Sequence, residues 1–184
     1  MKSLPTSIPG VQLLELEVFG DHRGRFMETF RRDRYRERLG IDLEFVQDSF
    51  SMSKRGTLRG LHFQLGPPQG KLVHVTRGEI FDVAVDIRVG SPSFGHWFGA
   101  TLSADNHLQM YLPPGFAHGF LVTSDEADVT YKSTATYSPP DDRAIRWDDR
   151  ELAIRWPLVA PPILSKRDIA APGLHEVTLP KFST

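Results

Sequence analysis

Short runs that alternate apolar with polar residues, cut at close intervals by Gly, Pro and Asp, make up most of this chain. Val11–Phe19 (VQLLELEVF) alternates from Leu14 onward. Lys71–Thr76 and Ile80–Ile87 flank Arg77-Gly78-Glu79, a spacing that predicts a hairpin. Further strands are predicted at Trp97–Leu102, Leu108–Leu112, Gly119–Val122, Val129–Tyr131 and Ala144–Trp147. Turn signals such as Gly66-Pro67-Pro68, Gly90-Ser91-Pro92 and Pro113-Pro114-Gly115 separate them. Many short strands with regular turns predict a mainly β chain, an antiparallel β-sandwich or barrel of the jelly-roll kind. One amphipathic helix is expected at Asp33–Leu39 and a weaker one after Ser165, with the proline-rich stretch from Pro157 wrapping the outside.

The chain has 184 residues, which on a prior of roughly 150 residues per domain predicts one domain. It has no cysteine, which excludes disulfides, thiolate metal sites and cysteine nucleophiles. Lys plus Arg number 22 and Asp plus Glu 23, so a surface that binds nucleic acid in general is not expected. No apolar run reaches the ~18 residues of a membrane span. The N-terminal MKSLPTSIPG lacks the apolar core of a signal peptide. A cytoplasmic domain is the expectation.

The densest polar constellation is Gly56-Thr-Leu-Arg-Gly-Leu-His-Phe-Gln64. On a regular strand Arg59, Leu61 and Phe63 share one face, and Gly60, His62 and Gln64 the other. His62 is then an imidazole among apolar neighbours, either a satisfied structural histidine or one poised for proton transfer. In Pro114-Gly-Phe-Ala-His118-Gly-Phe, turn glycines would let His118 project into a pocket. His62 and His118 could be metal ligands of a cupin, but Gln64 stands where a second His is expected and no acidic residue follows as far as Gly78. Two imidazoles without a carboxylate are a poor set for iron or zinc, so no metal is expected. Arg23, Arg59 and Lys71 are either surface charge or a converging grip on a diphosphate. Tyr131 and Tyr137 suit packing, or a phenol acid and a stacking plate. There is no Ser-His-Asp elbow, P-loop or dinucleotide fingerprint.

The blocks FGDHRGRFMETF, FVQDSFSMS, LRGLHFQ, QGKLVHVTRGEIFDVAVDIRVGSPSFGHW, LPPGFAHGF, YKSTATYSPP and LSKRD occur in order between Val18 and Asp168. Together they resemble the dTDP-4-dehydrorhamnose 3,5-epimerase family. The resemblance implies a cupin-type jelly roll, a homodimer, no cofactor, and a dTDP-4-keto-6-deoxyglucose substrate inverted at C3 and C5. By the same resemblance His62 matches the general base, Asp168 the carboxylate orienting it, Tyr131 the general acid on the opposite side of the sugar, and Lys71 the cation near the C4 oxygen. Arg23, Glu28, Gln47, Arg59 and His118 match substrate- or nucleotide-contacting positions, with Arg23 and Glu28 reaching across the dimer. Tyr137 matches the ring that stacks on thymine and Asp142 an acidic contact. Ser49 stands where the family commonly has Asn, Asp142 where Glu is familiar, and Arg167 where Lys is usual. These three bear on how, and which, deoxysugar nucleotide is held.

The chemistry agrees with that inventory. A hydrogen α to a ketone is removable because its carbanion delocalises into the carbonyl oxygen, and C3 and C5 both flank C4. A relative acting at one carbon only, a ketoisomerase, and a non-catalytic cupin are the alternatives.

Overall fold

The computed structural model describes residues 1–182. Its strands are β1 (Lys2–Leu4), β2 (Gln12–Glu15), β3 (Val18–Asp21), β4 (Gly24–Met27), β5 (Gln47–Lys54), β6 (Leu58–Gln64), β7 (Lys71–Arg77), β8 (Glu79–Asp86), β9 (Trp97–Ser103), β10 (Leu108–Leu112), β11 (Phe116–Val122), β12 (Glu126–Ser133) and β13 (Asp142–Ala144). Two α-helices, α1 (Arg32–Leu39) and α2 (Lys166–Ile169), lie at the periphery. A six-stranded sheet in the order β1-β2-β10-β7-β12-β5 faces a five-stranded sheet in the order β13-β6-β11-β8-β9, and β3 pairs with β4 as a separate hairpin. All these pairings are antiparallel. This is the mainly β, jelly-roll architecture that the short alternating runs predict.

Alternation explains which side chains go where. The inward faces supply Val73 and Val75 of β7, Ile80 and Ala84 of β8, Leu102, Met110, Phe116, Phe120, Val122, Ala127 and Val129, which form one buried cluster between the sheets. The outward face of the five-stranded sheet is also covered. Leu58, Leu61, Phe63, Val83, Val85, Ala117 and Leu121 pack there under Ile145, Leu152, Trp156 and Leu174 from the later part of the chain. With both faces buried, β8 carries apolar residues on both its faces, interrupted by the carboxylates Asp82 and Asp86. Outside the six-stranded sheet, Leu14, Leu72 and Tyr111 meet Tyr35 of α1 and Ile41. The helix stops at Gly40, whose φ of 67° is the left-handed conformation that glycine adopts without steric cost.

Three sequence expectations change here. β7 and β8 do not form a hairpin: β7 pairs with β10 and β12, and β8 with β11 and β9. Arg77-Gly78-Glu79 instead carries the chain across from one sheet to the other, and a Cβ at Gly78 would fall 1.9 Å from the Glu126 carbonyl oxygen. Val11–Phe19 is two strands rather than one, because the chain leaves the sheet after Glu15 to start the β3–β4 hairpin. The strand at Ala144–Trp147 is instead Asp142–Ala144, while Gly119–Val122 and Val129–Tyr131 extend to the bounds of β11 and β12.

β5 has no counterpart among the predicted strands. Its inward positions are Gln47, Ser49, Ser51 and Ser53, whereas Phe50 and Met52 point outward and are 64% and 48% exposed. Polar-in and apolar-out inverts the usual signature of a half-buried strand. Among the described residues β5 is also a sheet edge, paired with β12 alone.

Candidate active site

The site begins with a fault in β6. Against β11 the register runs His118↔His62 and then Phe120↔Arg59, so one extra residue is accommodated at Gly60–Leu61. Gly60 has φ 131°, and a Cβ there would lie 2.5 Å from the Gly119 Cα. Only glycine lets the two strands approach this closely. The bulge resets the alternation. Leu58, Leu61 and Phe63 all pack in the outer cluster. Arg59 thereby leaves the face of Leu61 and Phe63, contrary to the regular-strand expectation, and its Nε donates to Ser53 Oγ on β5 at 3.0 Å.

His62 and Gln64 are set inward on the far side of the bulge. A cavity of about 340 Å³ opens there, lined by Gln47, Ser49, His62, Phe63, Gln69, Lys71, Tyr131, Ser133, Tyr137, Asp142 and Arg167. His62 comes from the five-stranded sheet, whereas Lys71 and Tyr131 come from β7 and β12 of the six-stranded sheet. The imidazole and the phenol thus line one cavity from opposite walls.

Asp168 stands behind His62, with its Oδ1 2.6 Å from the ring Nε2. The short helix α2 holds it there. Ser165 caps that helix, accepting from the Asp168 backbone N–H at 3.1 Å and donating its hydroxyl to Asp168 Oδ2 at 2.7 Å. Burial pushes the Asp168 pKa up, but the bonds from His62 and Ser165 outweigh it, and the carboxyl is held below its ordinary value. Burial drives the Lys71 amine the other way, down to about 8, with Asp142 and Asp82 opposing that fall.

The mouth is a polar clasp. Tyr137 donates its hydroxyl to Asp142 Oδ2 at 2.9 Å, and Arg167 donates to the same oxygen. Gln47 Oε1 accepts the Tyr137 backbone N–H at 2.7 Å, while Gln47 Nε2 donates to Ser49 Oγ at 3.1 Å. The Tyr137 phenol is raised above its usual value by the bond to Asp142, and the ring is 54% exposed.

Besides Asp168, which stands behind His62, four of the candidate residues do not line the cavity. His118 is buried beneath it rather than projecting into it. Its Nε2 is 2.7 Å from Asp82 Oδ1, and its ring meets that of Tyr131 at 6.5 Å between centroids. Arg59 lies against Ser53, as described. Arg23 is in the exposed β3–β4 turn, where it binds the Asp21 carboxylate, and Glu28 pairs with Arg31 and Arg34. Gln64, considered above in a ligand position, has its amide spent: it donates to the Pro67 and Thr136 carbonyls and accepts from the Ser138 N–H. Among the described residues no group of three His, Cys, Asp or Glu side chains is arranged to hold a metal.

Asp82 was not singled out by sequence reasoning. Its signal is a carboxylate at an inward position of β8, in EIFDVAVD, where the alternation calls for an apolar side chain. Gln69 and Ser133, which also line the cavity, carry no such signal.

The model of the dTDP-4-dehydrorhamnose 3,5-epimerase family matches residues 5–176 of this chain. The chain belongs to that family. A dTDP-4-dehydrorhamnose 3,5-epimerase of Pseudomonas aeruginosa is 52% identical over 168 residues, covering 91% of this chain and 93% of the relative. The crystal structure of a Legionella pneumophila dTDP-6-deoxy-D-glucose-3,5-epimerase, in complex with dTDP-4-keto-L-rhamnose, superposes with a TM-score of 0.97 at 48% identity, covering 100% of this chain and 99% of that one. A Streptomyces niveus dTDP-4-dehydrorhamnose 3-epimerase is 41% identical over 189 residues, covering 100% of this chain and 91% of the relative. The epimerase family therefore accounts for almost the whole chain. In this member no helix among the described residues is long and apolar enough to cross a membrane.

Proposed function

We propose that this epimerase-family chain converts dTDP-4-dehydro-6-deoxy-D-glucose to dTDP-4-dehydro-L-rhamnose by inverting C3 and C5 in turn. The observation that carries the reading is the placement of His62 and Tyr131 on opposite walls of one cavity with Lys71 beside them. With Asp168 as a carboxylate accepting the Nε2 proton, His62 Nδ1 is left as the base. It takes the hydrogen α to the C4 ketone, and the C–H pair moves into the carbonyl to give an enolate. The Lys71 ammonium stabilises that oxygen where charge develops. Tyr131 then delivers a proton to the opposite face of the same carbon. His62 and Tyr131 exchange protons with solvent, and the cycle repeats at the other carbon. The route uses proton transfers alone and calls for no metal or redox cofactor.

Tyr137 offers its exposed ring to the thymine, and Gln47, Ser49, Asp142 and Arg167 surround the nucleotide end. Arg59 and His118 support the sugar and diphosphate from the side and below. The grip on the nucleotide is remote binding energy that positions a small ring.

A homodimer completes the proposal. Phe19 and Phe26 are direct cross-strand partners on the β3–β4 hairpin and are 57% and 70% exposed. Such a pair is expected to be covered, and the outward Phe50 and Met52 of β5 are a matching apolar surface. A hairpin seated on the partner would bring Arg23 and Glu28 to the partner's site. The charged sugar-nucleotide substrate fits a cytoplasmic location.

The test is to incubate the enzyme with the 4-keto-6-deoxyglucose nucleotide in D2O and to follow C3 and C5 by NMR. Deuterium at both carbons supports the reading. The Streptomyces niveus relative favours a second reading, inversion at C3 only, which predicts one deuterated carbon. No exchange contradicts both.

A further inference from the structure

Two inward positions of β8 hold carboxylates, and only one explains itself. Asp86 accepts from Arg88, Ser91 and Ser93 and is fully satisfied. Asp82 is equally buried, at 0% exposure, but it is half-satisfied. One oxygen accepts from His118 Nε2 at 2.7 Å, and the other, Oδ2, has no hydrogen-bond partner. A buried carboxylate with a free oxygen weakens a barrel that an apolar side chain would strengthen. Its place in the fold gives it another use. His118 neighbours His62 across β6 and β11, and its ring abuts that of Tyr131. The Asp82–His118 pair therefore lies directly behind two residues that line the cavity, His62 and Tyr131.

We propose that Asp82 is a positioning residue of this site, a buried carboxylate on the sheet facing Lys71 that acts on the amine and also anchors His118 against Tyr131. The inference rests on the epimerase reading above. The charges around Lys71 agree with it. Burial pulls the amine toward its neutral form and Arg167 of α2 adds to that pull, while Asp142 of β13 and Asp82 of β8 oppose it. His62 of β6 faces the amine from the opposite wall, and Tyr131 of β12 lines the cavity beside it from the same sheet. Asp142 already accepts from Tyr137 and Arg167 at the mouth. Asp82 is the acidic neighbour with an oxygen to spare, so it keeps Lys71 in the ammonium form that an enolate needs.

The experiment compares wild type with Asp82→Asn, which keeps the shape and removes the charge. Rate against pH gives one readout and the 15N resonance of the Lys71 amine gives a second that needs no turnover. Without the charge the ammonium is less favoured, so both the alkaline limb and the amine titration should move down by about one pH unit. The kcat should fall about ten-fold, on the low side for a positioned group, with dTDP affinity within a few-fold. Asp82→Glu, which returns the charge, should recover part of the limb. A limb and an amine titration that stay where they are in Asp82→Asn overturn the inference. Should that variant not fold, Asp82→Ser is read in the same way, and loss of the fold in both marks Asp82 as structural and also overturns it. If wild type exchanges no deuterium, the epimerase reading fails, and the amine titration alone still judges Asp82.

Discussion

The two ends of the barrel interior are built by the same strands and do opposite things. At one end Val75, Ile80, Leu102, Val122, Ala127 and Val129 are at most 1% exposed and belong to the apolar core between the sheets. At the other end the inward positions of those strands become Lys71 on β7, Asp82 on β8, His118 on β11 and Tyr131 on β12. On β7 and β12 the inner face changes character partway along the strand, while on β8 and β11 Asp82 and His118 interrupt a face that is apolar on both sides of them, at Ile80 and Ala84 and at Phe116 and Phe120. On the proposed mechanism the fold keeps its stabilising core and its chemistry on different stretches of the same strands. A side chain at the closed end should act on unfolding alone, whereas one at the open end should act on rate and can even work against stability.

His62→Ala should break the comparison most severely at the open end. Exchange at both carbons should fall by about 10³–10⁴-fold, with dTDP affinity within a few-fold and the melting temperature little changed. NMR exchange and dTDP titration check this together. Near wild-type exchange would remove His62 from the mechanism.

Lys71→Met sharpens the comparison, because rate and stability should move in opposite directions. Turnover should drop by about 10²–10³-fold from loss of the charge facing the enolate. Stability at neutral pH should rise by ~1–3 kcal/mol, because burial penalises the ammonium. The pH dependence carries the same opposition. The folded-state amine titrates at about 8 and the unfolded one at 10.5. Between those values the unfolded chain holds a proton that the folded one lacks, so the Lys71 contribution to stability rises with pH across that window. Activity should fall across the same window as the ammonium is lost. Denaturant melts and rate profiles from pH 7 to 10 read both.

Leu102→Ala tests the closed end. It should cost about 2–5 kcal/mol, the range for emptying a buried leucine site, and leave kcat within two-fold at temperatures where the protein is folded. A large loss of kcat without loss of stability would show that the two ends are coupled.

Tyr137→Phe should have the smallest effect, but not a silent one. The ring keeps its stacking area, yet its hydroxyl is tied to Asp142. Removing that bond frees Asp142 and the ring at the mouth. KM should rise a few-fold, with kcat unchanged. Steady-state kinetics would decide it.

What could be read in the sequence divides along similar lines. β9, β10 and α1 were legible because each is a short run closed by turn signals whose apolar positions pack against buried clusters. The crossing at Gly78 was not. A corner between sheets and a hairpin use the same turn chemistry, and only the partners of each strand tell them apart. β5 escaped because Gln47, Ser49, Ser51 and Ser53 face inward toward the site and its surroundings, so its pattern is inverted by function. The bulge at Gly60 turned Arg59 from one face to the other, and a single inserted residue leaves no periodic trace. His62 was visible as chemistry from its surroundings, but its bond to Asp168 spans 106 positions. Only the family resemblance linked those two residues before the fold did. Asp82 was overlooked although its sequence signal was plain, a charge inside a buried apolar run.

On the proposed mechanism the two walls of the cavity work on opposite faces of the sugar. Tyr131→Phe in D2O tests it most directly, with inversion and deuterium wash-in measured on the same sample. The ring and its packing stay, and only the donated proton is lost. Inversion should fall by about 10²–10⁴-fold, while wash-in without inversion falls much less, because His62 can return a deuteron to the face it deprotonated. Normal inversion of both centres, or a strictly parallel loss of inversion and wash-in, would contradict the claim.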